Sequence, residues 1–230
     1  MRWIVRETQP PQAGPMHDSF LQMFFEASYR FGFAEWAIGR PQPDLVRAVE
    51  SGALAACPRV CDVGCGTGDT AIFLAERGHE VVAVDRVRRA ITLARARAEA
   101  LQLAGNATFM AADVFSLPEL EIGRFDAIVD SGLLHQFTAP QAKAYVALLR
   151  GMLRPSGVAL VHAFRDHGPA RSAGPRRLSE SDLLDAFGEG WRCQAIEPAQ
   201  FHATSARTYP AWLARFERVG VPGRPDGETR

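Results

Sequence analysis

The chain has 230 residues, of which 47% are hydrophobic and 23% charged. That composition supports a large buried core and excludes disorder as the main state. The 26 basic residues are cancelled by 26 acidic ones, so no positive field favours nucleic acid, and no apolar run is long enough for a transmembrane helix.

Residues 1–15 are rich in Pro and polar groups and read as a flexible tail. Met1 to Gln9 holds Arg2, Arg6 and Glu7 and no apolar h-region. No signal peptide is expected, and the protein is expected in the cytoplasm. His17 to Arg30 carries Phe20, Met23, Phe24 and Ala27 at helical spacing, with Asp18 as a candidate N-cap. The Gly/Pro-broken stretch 31–43 is expected to be irregular, and Asp44 to Ser51 a short helix. From Arg59 the rhythm changes. Apolar runs at 60–63, 81–84, 108–111, 125–130 and 157–161 read as strands. They alternate with helices expected at 70–77, 88–103 and 140–153, which predicts an α/β fold with a doubly wound, mostly parallel sheet. Residues 165–177 read as a loop able to cover a site. Beyond it come a helix at 181–187, a strand at 191–196, a possible strand at 201–205 and a final amphipathic helix from Tyr209 to Val219. Residues 220–230 read as a second flexible tail. Cys57, Cys61, Cys65 and Cys193 have the spacing of neither a disulfide framework nor a zinc site, so reduced structural thiols are expected and no metal.

The chemical signal lies in Asp62-Val-Gly64-Cys-Gly66-Thr-Gly68, between a strand and a helix. Glycines there turn the backbone sharply and let a ligand approach the main chain. The third glycine comes one residue earlier than in the dinucleotide fingerprint, whose last position is filled by Asp69. Asp62 and Asp69 would repel a pyrophosphate and suit a ligand that presents an ammonium and a sulfonium. Asp85 ends the second strand, where an acid binds ribose hydroxyls, and Asp113 ends the third, within reach of an adenine amino group. Three acids at the carboxyl ends of successive parallel strands face one crevice.

With these motifs the sequence resembles the class I S-adenosylmethionine-dependent methyltransferases over roughly residues 57–163. Val60 to Asp69 looks like their first motif. Val84-Asp-Arg86, Ala111-Ala-Asp-Val114 and Phe125 to Asp130 look like the motifs after the next strands. Leu149 to Gly157 resembles the junction into the fifth strand. Trp36-Ala-Ile-Gly-Arg-Pro-Gln-Pro43 is similar to a segment of the thiopurine and thiol/halide methyltransferases that lies over cofactor and substrate, although that group usually shows an acid where this chain has Ala37. The resemblance implies a Rossmann-like, seven-stranded α/β domain over 57–219, with residues 164–180 as an active-site loop and residues 16–56 as an N-terminal helical lid. It implies S-adenosyl-L-methionine as cofactor, a small, partly apolar acceptor with a sulfur, nitrogen or oxygen nucleophile, no nucleic acid or membrane partner, and a monomer or homodimer.

It also implies roles. Gly64, Gly66 and Gly68 line the methionine part, with Asp62 nearby. Asp85 holds the ribose, Arg86 lies along the adenine, and Asp113 accepts from its amino group between Ala112 and Val114. Asp130 and Ser131 sit near the methionine amino group and the reaction centre, Arg40 pairs with the carboxylate, and Trp36 lies by the sulfonium. His135, in the loop after the fourth strand, is the candidate to orient or deprotonate the acceptor, with Asp130 and Ser131 beside it. His162, Phe31, Phe33 and Trp36 are the other candidates for the acceptor side. The alternatives are a binding module for the same cofactor that does not catalyse, and a nicotinamide-dependent oxidoreductase.

Overall fold

A computed structural model describes residues 17–166 and 174–220. The expected tail at 1–15, the tail expected at 220–230 apart from Gly220, and residues 167–173 of the expected loop lie outside the described residues.

Helices α1 (His17–Phe31) and α2 (Pro43–Glu50) precede the sheet. Strand β1 (Arg59–Val63) leads into α3 (Asp69–Glu76), β2 (Glu80–Asp85) into α4 (Arg88–Ala100), and β3 (Ala107–Ala111) into a 3-10 turn at Val114–Leu120. Then come β4 (Phe125–Ser131), a short 3-10 turn at Leu134–Gln136, α5 (Ala139–Met152), β5 (Leu153–Phe164), α6 (Glu180–Ala186), β6 (Trp191–His202) and β7 (Thr208–Arg218). The seven strands lie in the order β3-β2-β1-β4-β5-β7-β6, and β7 runs antiparallel to both neighbours.

Strand alternation explains the two layers of core. Val60, Ala83, Ala127, Val129 and Leu160 face one side, where they meet Leu45 of α2, Ile72 and Phe73 of α3, and Ile91 and Ala94 of α4. Cys61, Val63, Val82, Ile128 and Val161 face the other, against Tyr145, Val146 and Leu149 of α5 and Leu183 of α6. Central strands covered on both faces must be apolar on both, which is why β1, β2 and β4 read as continuous hydrophobic runs. All four cysteines are free, three of them buried.

The last segment corrects the expectation. Tyr209, Trp212, Leu213 and Phe216 fit a helical period, yet Thr208–Arg218 is a strand. Its 11 residues pair with β5 on one side and β6 on the other. Ladder bonds on both edges outweigh a periodicity that short apolar runs do not settle. The two strands expected at 191–196 and 201–205 are one, Trp191–His202, with a register shift between Cys193 and Ala195. Its internal Pro198 is tolerated because β6 is the sheet's edge.

Candidate active site

The carboxyl ends of β1 to β5, the end of β6 and the start of β7 share one edge of the sheet. At β1 the chain turns through Gly64, Gly66 and Gly68, all at positive φ. A Cβ at Gly66 would stand 2.7 Å from the Tyr29 hydroxyl, and one at Gly68 2.8 Å from the Phe109 ring. The turn is held from three sides. Gly64 and Cys65 N–H donate to the Val84 carbonyl (2.8 and 3.0 Å). Gly66 N–H donates to Asp85 Oδ2 (2.9 Å), while Val87 N–H donates to Asp85 Oδ1 (2.8 Å). Arg97 of α4 donates to the Thr67 carbonyl, the Asp69 carboxylate and the Gly39 carbonyl, tying the turn to the N-terminal segment.

Asp62 is buried behind this turn, and its Oδ2 has no hydrogen-bond partner among the described residues. Burial, and then the nearby Asp130 and Asp85 carboxylates, push its pKa up to about 8. Burial likewise raises Asp85, against the pull of its backbone donors. Asp113 caps the 3-10 turn by accepting from Phe115 N–H through Oδ1 (2.9 Å). Val114 is buried beside it, and Ala112 N–H donates to the Asp85 carbonyl (3.1 Å). Arg86 reaches across to Gln22 of α1 (3.2 Å). Arg40 is exposed and makes no hydrogen bond to a described residue.

Asp130 lies at the centre of a buried network. It accepts from Leu133 N–H (2.7 Å), Leu134 N–H (2.9 Å) and the Tyr145 hydroxyl (2.8 Å), which fixes the loop after β4. Burial pushes its carboxyl up to about 6. Ser131 ends β4 opposite His162 of β5. His135 is buried with its ring stacked on Phe164 at 4.4 Å. Its Nδ1 accepts from Phe164 N–H (3.0 Å), so the neutral ring carries its proton on Nε2, an assignment made from the bonding. Burial, with His162 adding, lowers its pKa to about 3. His162 is fully buried, stacked on Phe201 at 5.0 Å, and burial holds it down to about 4. Neither of its ring nitrogens has a hydrogen bond of full geometry among the described residues, although the Gln200 backbone favours its charged form.

Above these two histidines opens a cavity of about 610 Å³. Phe24, Phe33, Trp36, Phe164, Phe201 and Tyr209 form its apolar wall, with Glu35, Arg177 and His202 as its ionisable members. Among the predicted acceptor-side residues, Phe33 and Trp36 line it. His135 and His162 lie behind Phe164 and Phe201. Phe31 stacks on Phe33 but is 70% exposed and faces the outer side of α1 with Gln22, Met23 and Arg30. Phe164, Phe201 and Tyr209 carry no local motif. They meet because β6 and β7 reach the same edge, and that requires the strand assignment the sequence pattern missed. Gln42 and Asp44 fix the end of β6: Gln42 bonds both backbone groups of His202, and Asp44 accepts from Gln200 N–H.

The glycine turn and the cavity meet at Trp36, which lines the cavity while its Nε1–H donates to the Tyr29 hydroxyl (2.7 Å) above Gly66.

Comparison with known proteins agrees with this layout. Residues 60–157 match the model of a methyltransferase domain family. A 2-heptyl-1-hydroxyquinolin-4(1H)-one methyltransferase of Mycobacteroides abscessus is 34% identical over 204 residues, 85% of this chain and 88% of that protein. A structure solved for the conversion of a disulfide into a thioacetal during echinomycin biosynthesis is 32% identical, with a TM-score of 0.75, over 86% of this chain and 92% of its own. The 1,6-didemethyltoxoflavin-N1-methyltransferase of Burkholderia thailandensis, solved with 1,6-didemethyltoxoflavin and S-adenosylhomocysteine bound, is 25% identical. Its TM-score is 0.69 over 95% of this chain and 99% of its own. The cofactor these likenesses imply fits the residues present. The unpartnered Asp62 oxygen suits an ammonium.

Proposed function

The chain belongs to the class I S-adenosylmethionine-dependent methyltransferases, and from that premise we propose that it methylates a planar heteroaromatic small molecule bound in the aromatic cavity. The observation that carries this reading is the cavity itself. Its volume of about 610 Å³ is that of a site for a compact ligand. Its walls are rings, and it adjoins the glycine turn through Trp36 and Tyr29. The M. abscessus relative is named for a hydroxyquinolone and the B. thailandensis one for 1,6-didemethyltoxoflavin, both in keeping with such a wall.

When bound, the cofactor supplies a methyl group already activated on sulfonium sulfur. The protein's task is then to hold the acceptor atom in line with that methyl and to keep water out. In this reading Asp62 and Gly64–Gly68 hold the methionine part, Asp85 the ribose, and Asp113 with Ala112, Val114 and Arg86 the adenine. Residues 16–56 act as the lid, with Trp36 and Phe33 against the acceptor. His135 does not deprotonate the acceptor, because its Nδ1 is taken by Phe164 N–H and burial disfavours its protonated form; it supports the cavity wall by stacking on Phe164. Asp130 and Ser131 hold the loop that carries it. The acceptor is a secondary metabolite or a toxic heterocycle.

The test is incubation with radiolabelled S-adenosylmethionine and a panel of 1-hydroxyquinolin-4-ones, phenols, ring N–H heterocycles, aryl thiols and aliphatic thiols. Labelled product from flat aromatic acceptors supports the reading. Turnover confined to aliphatic thiols would sink it.

A further inference from the structure

Resting on that reading of the cavity, we propose that Arg177 is a specificity residue that selects an acidic aromatic hydroxyl and binds it as the oxyanion, so that methylation needs no general base. Three observations meet here. Arg177 lines the cavity and is half-buried, and it forms no ion pair or hydrogen bond with a described residue. Its neighbour Arg176 is fully engaged, with its side chain on the Phe137 carbonyl and Asp182 and its N–H on the His135 carbonyl. This fixes the backbone next to Arg177 and leaves one guanidinium of the pair for a ligand. Finally, the ordinary source of a base is closed, because His135 has its only lone pair committed and His162 lies behind Phe201.

A guanidinium within a few ångströms of an acid lowers its pKa by about one to three pH units, more so where rings exclude water. A hydroxyl on an electron-poor ring then ionises near neutral pH, whereas an aliphatic alcohol stays protonated. The proton leaves to solvent on binding. The acceptor oxygen then attacks the methyl carbon, the O–C bond forms as the C–S bond breaks, and the bonding pair stays on sulfur as a neutral thioether. Glu35 opposes the effect from the same cavity, but it is exposed to solvent and screened. Tyr209 and His202 also line it, and His202 is the rival, since its ring could take the proton instead.

Spectrophotometric titration separates these. A 1-hydroxyquinolin-4-one with distinct neutral and anionic spectra is bound to the full chain with S-adenosylhomocysteine and titrated from pH 5 to 9. The bound hydroxyl is expected to ionise at least one pH unit below the free compound. Arg177→Gln should return it to within a few tenths of a unit of the free value, and Arg177→Lys should keep part of the shift. Cofactor affinity by calorimetry should be equal in all three proteins, which shows them folded. An equal transition in wild type and Arg177→Gln overturns the proposal. So does a transition abolished by His202→Asn and untouched by Arg177→Gln. No binding by wild type to any aromatic acceptor, with the cofactor still bound, overturns the cavity reading together with this proposal.

Discussion

The two halves of the carboxyl edge are built on different principles. The half at β1 to β4 is made of backbone N–H groups and carboxylates, with Gly66 and Val87 on Asp85, Phe115 on Asp113, Leu133 and Leu134 on Asp130, and Asp62 Oδ2 left without a partner among the described residues. The half at β5 to β7 is a wall of rings with few polar bonds, such as Phe201 against Phe164 at 5.0 Å. The first half suits a cofactor that never changes. The second sets shape and polarity without a rigid hydrogen-bond pattern, which suits one class of acceptor. On the proposed function, acceptor specificity belongs to the second half, and mutations should separate the two.

The largest effect should come from Gly68→Ala. Its φ of +82° disfavours any side chain, and the new Cβ would meet the Phe109 ring at 2.8 Å and Ala94 Cβ at 3.0 Å, both in the core. A loss of about 2–4 kcal/mol in urea unfolding is expected, with cofactor affinity down at least about 100-fold. Unchanged affinity would mean the turn does not hold the cofactor. Next comes Asp85→Ala. Removing a carboxylate that hydrogen-bonds a ligand costs about 1.5–3 kcal/mol, or roughly 10–150-fold in cofactor affinity. Stability should also fall by about 1 kcal/mol, because the same carboxylate accepts from Gly66 and Val87 N–H. Phe33→Ala should do the reverse. It should raise the acceptor KM about 3–10-fold, the weight of one aromatic contact, and leave cofactor affinity within about twofold. If Phe33→Ala weakens the cofactor as much as the acceptor, the division into halves fails.

The same division decides what could be read from the sequence. The cofactor half is local. Gly64 to Gly68 lie within five residues, and Asp85, Asp113 and Asp130 each lie at or within two residues of the carboxyl end of a strand whose apolar run announces it. One short window per strand was therefore enough to nominate them. The acceptor half is assembled from positions 24, 33, 36, 164, 177, 201, 202 and 209, which no window contains. Tyr209 was out of reach because its segment has the apolar spacing of a helix, and only the slot between β5 and β6 makes it a strand. His135 was visible as a residue type in the right loop, but its role depends on which nitrogen meets Phe164 N–H, a fact that the sequence does not hold.

The smallest effect is on stability against pH, and it should carry opposite signs in the two halves. Asp62 is raised to about 8, so the folded protein holds a proton between roughly pH 4 and 8 that the unfolded chain releases. Its contribution is therefore present at low pH and lost as pH rises through that window. Bound cofactor reverses this by favouring the carboxylate. Wild type should thus release up to about one proton on binding S-adenosylmethionine at pH 7, read from calorimetry in buffers of different ionisation heat, and Asp62→Asn should release none. His162 is lowered to about 4, so the unfolded chain takes up a proton between roughly pH 6.5 and 4 that the folded protein refuses. Its contribution is present at neutral pH and lost as pH falls. His162→Leu, which keeps the volume and removes two buried nitrogens without full hydrogen bonds, should narrow the gap between unfolding midpoints at pH 7 and pH 5 by the equivalent of about 1 kcal/mol. Asp62→Asn should leave that direction of change intact while flattening the loss toward alkaline pH. Were both variants to shift the same limb, the edge would titrate as one coupled unit, and the contrast between a polar cofactor half and an aromatic acceptor half would lose its physical basis.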